Sequence, residues 1–370
     1  MAATECRWGF LGTAGIARKN WQAGRHAGNA RLVAVASRER AKAAAFIDDC
    51  QAQVPHAVPP EPIGSYEELL ARPDVDAIYL PLPTGIRSEW AVRAARAGKH
   101  VLVEKPCGID VADLEKILAA CRDADVQFMD GVMYLHSRRL EAVRGVLGTP
   151  DGVGTIRRIA TQFSFRAPPE FFAGNIRVQS RLEPLGCLGD LGWYTIGAIL
   201  WTMEGRRPTA ITGRMMRAEP AAGAGHPVPL EFAGEIVFGD DPDATASFFC
   251  SFLVEHQQWL HVSGTHGSLR LDDFVLPFFG AEVEATLSRP SFSIEGCEFR
   301  MERHDRRIAV AEYANGHPTA QETSLFRDFS ALALGGRPDP VWPARSLATQ
   351  RVLMACLESA LHGGRTTPLI

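Results

Sequence analysis

Short apolar runs alternate with longer helical patterns over the first third of the chain. The apolar runs cover residues 7–12, 32–37, 77–80, 100–104 and 126–130. The helical patterns between them cover residues 16–24, 40–50, 65–72, 86–97 and 110–124. Apolar runs without polar alternation are typical of strands buried on both faces, and helical crossovers between such strands indicate a parallel sheet. The pattern therefore predicts a doubly wound α/β domain over residues 1–130.

The pattern changes after residue 131, where strand-like segments follow one another with few helices between them. The predicted strands are residues 155–165, 210–216, 235–238, 244–252, 259–264 and 268–271. One predicted helix, residues 188–203, interrupts them, and two more, residues 318–334 and 346–362, follow near the end. The mixed charges of residues 302–307 predict a solvated hairpin. We therefore expect a second, α+β domain over residues 131–370, built on an open and mostly antiparallel sheet.

The composition is that of an ordinary globular protein, with 46% hydrophobic and 22% charged residues among 370. Lys plus Arg number 39 and Asp plus Glu number 43, which gives a formal net charge of -4. This balance argues against nucleic acid as a partner, because phosphate-binding domains are usually basic. No apolar stretch reaches the ~20 residues that span a bilayer, and no leader pattern precedes the first predicted strand. We expect a cytoplasmic protein without a membrane segment.

The eight cysteines are widely spaced, and the smallest separation, from Cys107 to Cys121, is 14 residues. Zinc knuckles, redox pairs and iron–sulfur sites need closer cysteines, so we expect mostly reduced, buried thiols. The histidines His256, His261 and His266 are spaced by five, which alternates faces on a strand. We expect no metal site, and no nucleophilic role for Cys107, because no base is implied near it.

The first predicted strand ends in a glycine-rich turn that opens the first predicted helix. The turn reads Gly12-Thr13-Ala14-Gly15-Ile16-Ala17. Dinucleotide-binding turns have the pattern GxGxxG or GxGxxA, and here Gly12 and Ala17 fit while Ala14 takes the place of the second glycine. The amino end of the helix would supply amide donors and a positive dipole to a pyrophosphate. The first five residues of the turn are therefore predicted to bind a dinucleotide. The alternative is a glycine turn without a ligand.

The second predicted strand ends at Ser37 and Arg38, 25 residues after Gly12. NAD enzymes place an acidic side chain there to bind the ribose hydroxyls, whereas a hydroxyl and a guanidinium suit the 2′-phosphate of NADP. Ser37 and Arg38 therefore favour NADP over NAD. Two alternatives stay open, because Glu39 could bind the ribose of NAD and Arg38 could be a solvated surface charge.

The fourth apolar run delivers Glu104, Lys105 and Pro106 at its carboxyl end, where open α/β sheets bind their ligands. A lysine is costly to bury at the end of an apolar strand, so it either points into solvent or is held by a partner. The proline after it restricts the backbone of Lys105 and would hold its side chain in one direction. Lys105 is thus a candidate site residue, and an exposed surface lysine is the alternative.

A solitary carboxylate, Asp190, begins a long apolar segment, and Tyr194 follows four residues later. On one continuous helix the two side chains would share a face, one turn apart. A carboxylate and a phenol could handle protons together if Lys105 approached them, because a nearby positive charge favours ionised tyrosine. The alternative is that Tyr194 is a core aromatic residue whose hydroxyl caps Asp190.

These motifs together resemble the family of glucose-fructose oxidoreductase, inositol dehydrogenase and the rhizopine-catabolism dehydrogenases. The resemblance rests on the glycine turn, on Pro81-Leu82-Pro83-Thr84, on Glu104-Lys105-Pro106, on Gly189-Asp190-Leu191-Gly192-Trp193-Tyr194, and on Met129-Asp130-Gly131-Val132-Met133 followed by His136. Tyr194 stands where many members have histidine. With tyrosine at this position, the chain resembles the dimeric dihydrodiol dehydrogenases and the NADP-dependent D-xylose 1-dehydrogenases. Arg87 and Ala14 depart from the usual family pattern, and both lie on the cofactor side.

The resemblance implies a Rossmann domain, an open-sheet second domain used to form a homodimer or a higher homo-oligomer, and hydride transfer between a sugar or cyclic polyol carbon and NADP, with NAD possible. It implies that Lys105 hydrogen-bonds the reacting oxygen, that Tyr194 donates or accepts the proton, and that Asp190 orients the substrate. His136 and Arg177 are further candidate substrate contacts, although Arg177 could equally form a surface ion pair. The remaining cofactor contacts are expected at Leu80, Pro81, Leu82, Pro83, Glu104 and Pro106.

Two other functions stay open from the sequence. The first is a glycoside hydrolase or epimerase that retains NAD and oxidises a sugar carbon transiently. The second is a nucleotide-sensing regulator without turnover, although such relatives tend to lose the lysine that is present here as Lys105.

Overall fold

A computed structural model describes residues 4–220, 225–239 and 243–368. Its first sheet has six parallel strands: β1 (Cys6–Leu11), β2 (Ala30–Ala36), β3 (Glu61–Ile63), β4 (Ala77–Leu80), β5 (His100–Val103) and β6 (Phe128–Asp130). Their order in the sheet is β3-β2-β1-β4-β5-β6. The crossover helices are α1 (Gly15–His26), α2 (Arg40–Gln53), α3 (Tyr66–Ala71), α4 (Thr84–Arg96) and α5 (Val111–Asp123). The predicted doubly wound α/β architecture is confirmed.

The strands of this sheet form where the sequence is continuously apolar. All four residues of β4 are fully buried, as are the last three of β5. Both strands therefore require cover on both faces, which the helices supply. β3 was not predicted, because it has only three residues and one of them is Pro62.

The second sheet has nine strands: β7 (Ile156–Ser164), β8 (Pro208–Glu219), β9 (Val228–Phe238), β10 (Ala244–Ser251), β11 (Gln257–Gly264), β12 (Ser268–Leu271), β13 (Glu282–Ser288), β16 (Asp305–Ala311) and β17 (Thr367–Pro368). The order is β16-β13-β12-β11-β7-β10-β9-β8-β17, and among the described strands of this second sheet only β7 and β10 pair in parallel. The strands β14 (Ser291–Glu295) and β15 (Glu298–Glu302) form a separate hairpin. The predicted, mostly antiparallel second sheet is confirmed, and β13, β16 and β17 are additions to it.

The helices of the second part differ from the prediction at one functional point. They are α6 (Arg138–Arg144), α7 (Pro169–Gly174), α8 (Gly186–Asp190), α9 (Gly192–Thr202), α10 (Gln321–Leu334) and α11 (Val341–Leu361). The predicted helix 188–203 was wrong in its continuity, because the chain breaks it at Leu191 into α8 and α9. Residues 303 and 304 connect β15 to β16, which lie in different sheets and do not pair. The charged run 302–307 is therefore exposed as predicted, but the predicted hairpin was wrong.

Helix α10 lies far from the first sheet in sequence but packs against it in space. The ring of Trp8 on β1 is 4.9 Å from the rings of both Phe326 and Phe329, and its Nε1 donates to Ser330 Oγ at 3.0 Å. The helix at the end of the second part thus completes the core of the first. The domain boundary between residues 130 and 131 stays a prediction.

All eight cysteines are free, seven of them are buried, and Cys297 is exposed in the turn between β14 and β15. Within the described residues, no helix combines the length and the apolar character needed to cross a membrane.

Candidate active site

The turn between β1 and α1 is shaped to receive an anion. Gly12 has φ of 130°, a conformation that side chains other than glycine rarely adopt. A Cβ atom added at Gly15 would meet open space. No side chain caps the amino end of α1, and no acidic residue lies in its first turn. These amides are therefore available to the pyrophosphate of a dinucleotide, so the chain fits this cofactor here.

The carboxyl ends of β4 and β5 form the next wall of the site, and Arg87 ties them together. Its buried guanidinium donates to the carbonyl oxygens of Leu82 and Pro106 and to Thr84 Oγ1. This residue was noted in the sequence only as a departure from the family pattern. Its contacts show that it braces the two loops that carry Pro81 and Lys105.

Two side chains after the end of β2, Arg38 and Glu39, could select the cofactor, and they differ in their ion pairs. Glu39 pairs with Lys42 at 2.5 Å within the first turn of α2. Arg38 is exposed and forms no ion pair with any residue that the structure describes. The carboxylate is thus engaged while the guanidinium is free, which is the arrangement that suits a 2′-phosphate.

Helix α8 approaches the loop after β5 closely enough to require glycine. A Cβ atom at Gly189 would lie 3.1 Å from Pro106 Cγ and 2.7 Å from Leu185 Cβ. This close packing brings Asp190, at the end of α8, to Lys105. In the Gly189-Asp190 pair, the glycine is therefore required by the close packing and the aspartate supplies the charge that binds Lys105.

Lys105, Asp190 and Arg177 form a compact ion cluster. Lys105 Nζ lies 2.6 Å from Asp190 Oδ1 and 2.6 Å from the Asp190 carbonyl oxygen. Arg177 Nε is 2.8 Å from Asp190 Oδ2. Burial raises the pKa of Asp190, but the charges and hydrogen bonds of Lys105 and Arg177 outweigh it and lower the pKa below its ordinary value. Asp190 is thus an ionised anchor that holds two cations in place.

Tyr194 completes the cluster through its ring. Lys105 Nζ lies 4.6 Å from the ring centroid, a cation–π contact. Burial, followed by the negative charges of Glu104 and Asp190, raises the pKa of Tyr194 well above its ordinary value. The expectation that Lys105 would favour an ionised Tyr194 was therefore wrong, and the phenol is neutral. Its hydroxyl donates to Met133 Sδ at 3.7 Å, so it does not cap Asp190.

These groups line one cavity of about 350 Å³ between the two sheets. The lining contains eleven predicted site residues: Ala14, Gly15, Ile16, Pro81, Leu82, Pro83, Glu104, Lys105, Pro106, Asp190 and Tyr194. Arg177, a further predicted residue, also lines it. Gly12, Thr13, Ser37, Arg38 and Leu80 are not in the lining, but they belong to the adjoining ends of β1, β2 and β4.

The structure does not bring His136 to the cavity. Its Nδ1 lies 2.6 Å from Asp328 Oδ2, and its ring stacks on Trp342 with centroids 4.8 Å apart. Its side chain is 1% exposed. His136 therefore joins a short 3₁₀ turn to α10 and α11, and the predicted substrate contact is corrected to a packing contact.

Sequence reasoning missed Glu183, which also lines the cavity. Its carboxylate accepts from Thr84 N at 3.0 Å and from Thr84 Oγ1 at 2.5 Å. Gly85 N donates to the Leu182 carbonyl oxygen at 2.8 Å. The pair is 99 residues apart in the chain, and Glu183 belongs to no local motif, so no sequence signal indicated the contact.

A second cavity, of about 420 Å³, lies on the other side of α9. Its lining is mostly apolar, with Trp193, Leu200 and Trp201 among the residues, and Asp130 at its buried end. It contains neither Lys105 nor Tyr194, and it does not reach the glycine turn. The cavity of the ion cluster is therefore the candidate active site.

Comparison with known proteins matches both parts of the chain. Residues 6–132 match the family model of the GFO/IDH/MocA oxidoreductases with an NAD-binding Rossmann fold, and residues 151–270 match a GFO/IDH/MocA C-terminal domain. A dTDP-3,4-didehydro-2,6-dideoxy-α-D-glucose 3-reductase from Streptomyces violaceoruber is 32% identical over 290 residues, which cover 76% of each chain.

Two further similar proteins carry a cofactor in their names. An NADP(+)-dependent D-xylose 1-dehydrogenase from Haloferax volcanii is 35% identical over 195 residues, covering 52% of this chain and 55% of that protein. The crystal structure of a 3-ketoreductase from Actinomadura kijaniata, in complex with NADP and TDP-benzene, is 26% identical with a TM-score of 0.74. That likeness covers 96% of this chain and 97% of the other.

Proposed function

The chain belongs to the GFO/IDH/MocA family of NAD(P)-dependent oxidoreductases, and on this premise we propose that it reduces a sugar ketone with NADPH. The predicted family and the predicted oxidoreductase class are confirmed by the same comparisons. One observation carries the proposal: Lys105, Asp190 and a neutral Tyr194 converge in a cavity beside the dinucleotide turn. When bound, the nicotinamide supplies the hydride.

The proposed direction is supported by the names of two similar proteins, the 3-reductase from Streptomyces violaceoruber and the 3-ketoreductase from Actinomadura kijaniata, and a neutral Tyr194 is compatible with it. A phenol with a raised pKa is a proton donor at neutral pH, and reduction of a ketone needs a proton at the carbonyl oxygen. Oxidation of an alcohol would instead need the phenolate, which burial and the nearby carboxylates disfavour. The same residues would catalyse both directions, with Tyr194 as the proton donor in reduction and the acceptor in oxidation.

Lys105 is proposed to hold the reacting oxygen and to stabilise the negative charge that develops on it. Its ammonium is fixed by two bonds of 2.6 Å to Asp190, so little reorganisation is needed during the reaction. The ammonium also stands over the Tyr194 ring, and both residues line the same cavity. Asp190 thereby acts as the residue that positions Lys105.

The proposed substrate is a sugar or cyclic polyol rather than an apolar ketone. Arg177 lines the cavity with 42% of its side chain exposed, and only its Nε is bonded to Asp190 among the described contacts. Free guanidinium N–H groups suit hydroxyl oxygens. The names of the similar proteins from Streptomyces violaceoruber and Haloferax volcanii also specify sugars.

The test is a spectroscopic assay of reduced nicotinamide with matched substrates. Purified protein is mixed with NADPH or NADH and a panel of keto sugars, and in reverse with NADP or NAD and aldoses or cyclic diols. We expect oxidation of NADPH by at least one keto sugar, with NADH slower because Arg38 has no phosphate to bind. Mass spectrometry of nucleotide released from the purified protein identifies the cofactor independently.

Two results would overturn the proposal. One is cleavage of glycosides with no net change in reduced nicotinamide, which would indicate a retained cofactor and transient oxidation. The other is tight dinucleotide binding without turnover across the whole panel, which would indicate a regulator.

We also propose that the protein is a homodimer, joined through the edge of the second sheet. β16 is the edge strand, and the hairpin β14–β15 follows at one end of β13 and β16. On one face of this hairpin Phe292 pairs with Met301 and Ile294 with Phe299, each at least 56% exposed. A two-stranded hairpin is marginal without a covering surface.

A second copy supplies that surface by symmetry. Phe278 and Phe279, which are 63% and 99% exposed, precede β13 at its opposite end, about 23 Å away for seven strand residues. A two-fold axis near the middle of β16 would place the hairpin of one copy on these rings of the other, twice over.

The assembly is tested by sedimentation of the wild type and of a double variant, F292S with F299S. We expect a dimer that becomes a monomer in the variant, with the far-ultraviolet circular dichroism unchanged. Val58→Ser, at an equally exposed apolar position elsewhere, is the matched control and should stay dimeric. A monomeric wild type or a dimeric double variant would contradict the proposal.

We further propose a cytoplasmic location, because eight free cysteines suit a reducing compartment. Cell fractionation with an antibody tests this, and recovery in an extracellular or periplasmic fraction would contradict it.

A further inference from the structure

Tyr194 separates the active-site cavity from a small chamber behind it. Ile16, Glu104 and Tyr194 line both spaces. The chamber has a volume of about 20 Å³, and its other lining residues are Lys19, Asn20, Leu102, Gly131, Met133, Glu322 and Leu325. A space of this size holds one water molecule when polar groups surround it.

The chamber contains an ion pair with a spare oxygen. Lys19 Nζ lies 2.5 Å from Glu322 Oε1. Glu322 is 5% exposed, and its Oε2 is buried without a hydrogen-bond partner among the described residues. A buried carboxylate oxygen without a hydrogen-bond partner costs folding free energy, so a donor in the chamber would stabilise this oxygen. Lys19 is 27% exposed and thus connects the pair to solvent.

The hydroxyl of Tyr194 borders the chamber, and Tyr194 also lines the active-site cavity. Its contact at 3.7 Å is with Met133 Sδ, and Met133 lines the chamber but not the active-site cavity. A sulfur is a weak acceptor, so the hydroxyl keeps its capacity for a stronger partner. A water in the chamber would therefore have both the phenol and the carboxylate within its surroundings.

The other carboxylate at the chamber, Glu104, already accepts a hydrogen bond at its Oε1. Asn20 Nδ2 donates to Tyr79 Oη at 2.6 Å, and Tyr79 Oη donates to Glu104 Oε1 at 2.6 Å. Tyr79 is fully buried. This chain runs toward Glu104 and ends there, so it fixes the carboxylate as an acceptor and gives no exit to solvent. The path that reaches solvent runs through Glu322 and Lys19.

We propose that the chamber holds one water molecule, through which the Lys19–Glu322 pair returns a proton to Tyr194 after each reduction. This proposal rests on the proposed function of the preceding subsection. In the reduction the O–H bond of Tyr194 breaks as the O–H bond of the product forms. Lys19 passes its proton to the Glu322 carboxylate, the resulting carboxylic acid passes a proton to the water, and the water passes one to the phenolate. Lys19 recovers its proton from solvent, so one proton enters for each product alcohol. Glu322 and Lys19 are positioning residues here, because they act through Tyr194.

The decisive variant is Glu322→Gln, which keeps the shape and removes the group that carries the proton. The first turnover should proceed at the wild-type rate, because Tyr194 starts protonated, and later turnovers should slow at least ~10-fold, within the range of lost acid–base assistance. The result is a burst in rapid-mixing kinetics. The slow phase should show a larger solvent deuterium isotope effect, and small acids such as imidazolium should accelerate it. Lys19→Met should behave in the same way.

Glu312→Gln is the matched control. Glu312 is also buried, with Oε2 bonded to Ser137 and Arg138 and with Oε1 lacking a partner among the described residues. It lines neither space. This variant should change stability without producing a burst.

A measurement without turnover completes the test. A high-resolution crystal structure of the cofactor-free protein should show a water bonded to both Glu322 Oε2 and the Tyr194 hydroxyl. A chamber closed by side chains, or a Glu322→Gln enzyme with wild-type steady-state rates, would overturn the relay while leaving the reductase intact. A wild-type protein that reduces no substrate would overturn the proposed function first.

Discussion

Two buried ion pairs in this molecule have the same chemistry but different surroundings. Arg139 and Asp273 are 1% and 8% exposed, and Lys105 and Asp190 are 9% and 16% exposed. Arg139 also donates to the Asp273 carbonyl oxygen at 2.9 Å and to the Glu284 carbonyl oxygen at 3.1 Å. It therefore joins α6 to the second sheet, and it lies in none of the cavities described above.

The difference teaches that a buried charge pair does not mark a site by itself. Removing one member of such a pair is costly wherever it lies, because the other is left unpaired. What distinguishes Lys105 is that its cluster opens into a cavity, shares Asp190 with a second cation, and includes a neutral phenol. We therefore expect the two pairs to differ in which measurement they affect.

The largest effect is expected for Lys105→Met. Loss of the ammonium should lower kcat by about 10³-fold, within the range of general acid–base and electrostatic contributions. Arg177 stays paired with Asp190, so the thermal midpoint should change little. Steady-state kinetics and thermal unfolding measure the two quantities. Lys99→Met is the control: Lys99 is equally buried but donates to the carbonyl oxygens of Arg72 and Val75, so its loss should affect stability only.

Asp273→Asn should show the opposite behaviour. Leaving Arg139 buried without its charge partner should lower the free energy of unfolding by about 3–5 kcal/mol. The fraction that remains folded should keep the wild-type kcat. Denaturant titration gives the free energy, and an activity assay normalised to folded protein gives kcat. An Asp273→Asn enzyme with lost activity but unchanged stability would break the comparison.

Tyr194→Phe sharpens the comparison within the site. Loss of the hydroxyl should lower kcat for reduction about 10²-fold, because a positioned acid contributes at least that much. The KM for the sugar should change little, since the ring that contacts Lys105 is kept. Equal losses in the single variant and in its combination with Glu322→Gln would show that the two residues act in one path.

The pH profile tests the protonation of Tyr194 directly. A donor is active below its pKa, and the pKa of Tyr194 is raised well above 10.0. The rate of reduction should therefore stay constant from neutral pH to about 10, while the rate of oxidation should rise with pH over the same range. Measurement of kcat in both directions, with enzyme stability checked at each pH, decides this. A reduction rate that falls near neutral pH would contradict the assignment of Tyr194 as the donor.

The smallest effect is expected for Arg38→Ala, at an exposed position. Loss of this guanidinium should raise the KM for NADPH about tenfold, equivalent to ~1.4 kcal/mol, and leave that for NADH unchanged. Glu39→Ala is the neighbouring control, because its carboxylate is already paired with Lys42. Equal changes for both cofactors would show that Arg38 does not bind the 2′-phosphate.

Much of the fold could be predicted because buried strands appear in the sequence as short, continuous apolar runs. β4 and β5 are continuous apolar runs, and their lengths matched the prediction closely. β13 and β16 were missed because both carry charged residues that resemble a surface loop, and β16 lies at the exposed edge of the sheet. The break at Leu191 was missed because it interrupts an apolar segment without a proline.

The site was predictable where a local motif carried it. Lys105 follows a strand end, and Asp190 and Tyr194 share one short segment, so each was found from its neighbours in the chain. The Lys19–Glu322 pair joins residues more than three hundred positions apart, and neither has an unusual sequence context. Such contacts depend on how α1 and α10 pack together, which no local pattern specifies.

The bond between Glu183 and the start of α4 has a consequence for cofactor orientation. Thr84 N donates to that carboxylate, so the positive end of α4 is already neutralised, whereas the start of α1 is uncapped. Of these two helix ends, the start of α1 offers free amides to a phosphate, whereas the Glu183 carboxylate at the start of α4 disfavours a second anion. We therefore expect the pyrophosphate of a dinucleotide to bind at the start of α1 rather than of α4, and this difference favours one orientation of the cofactor in the cleft.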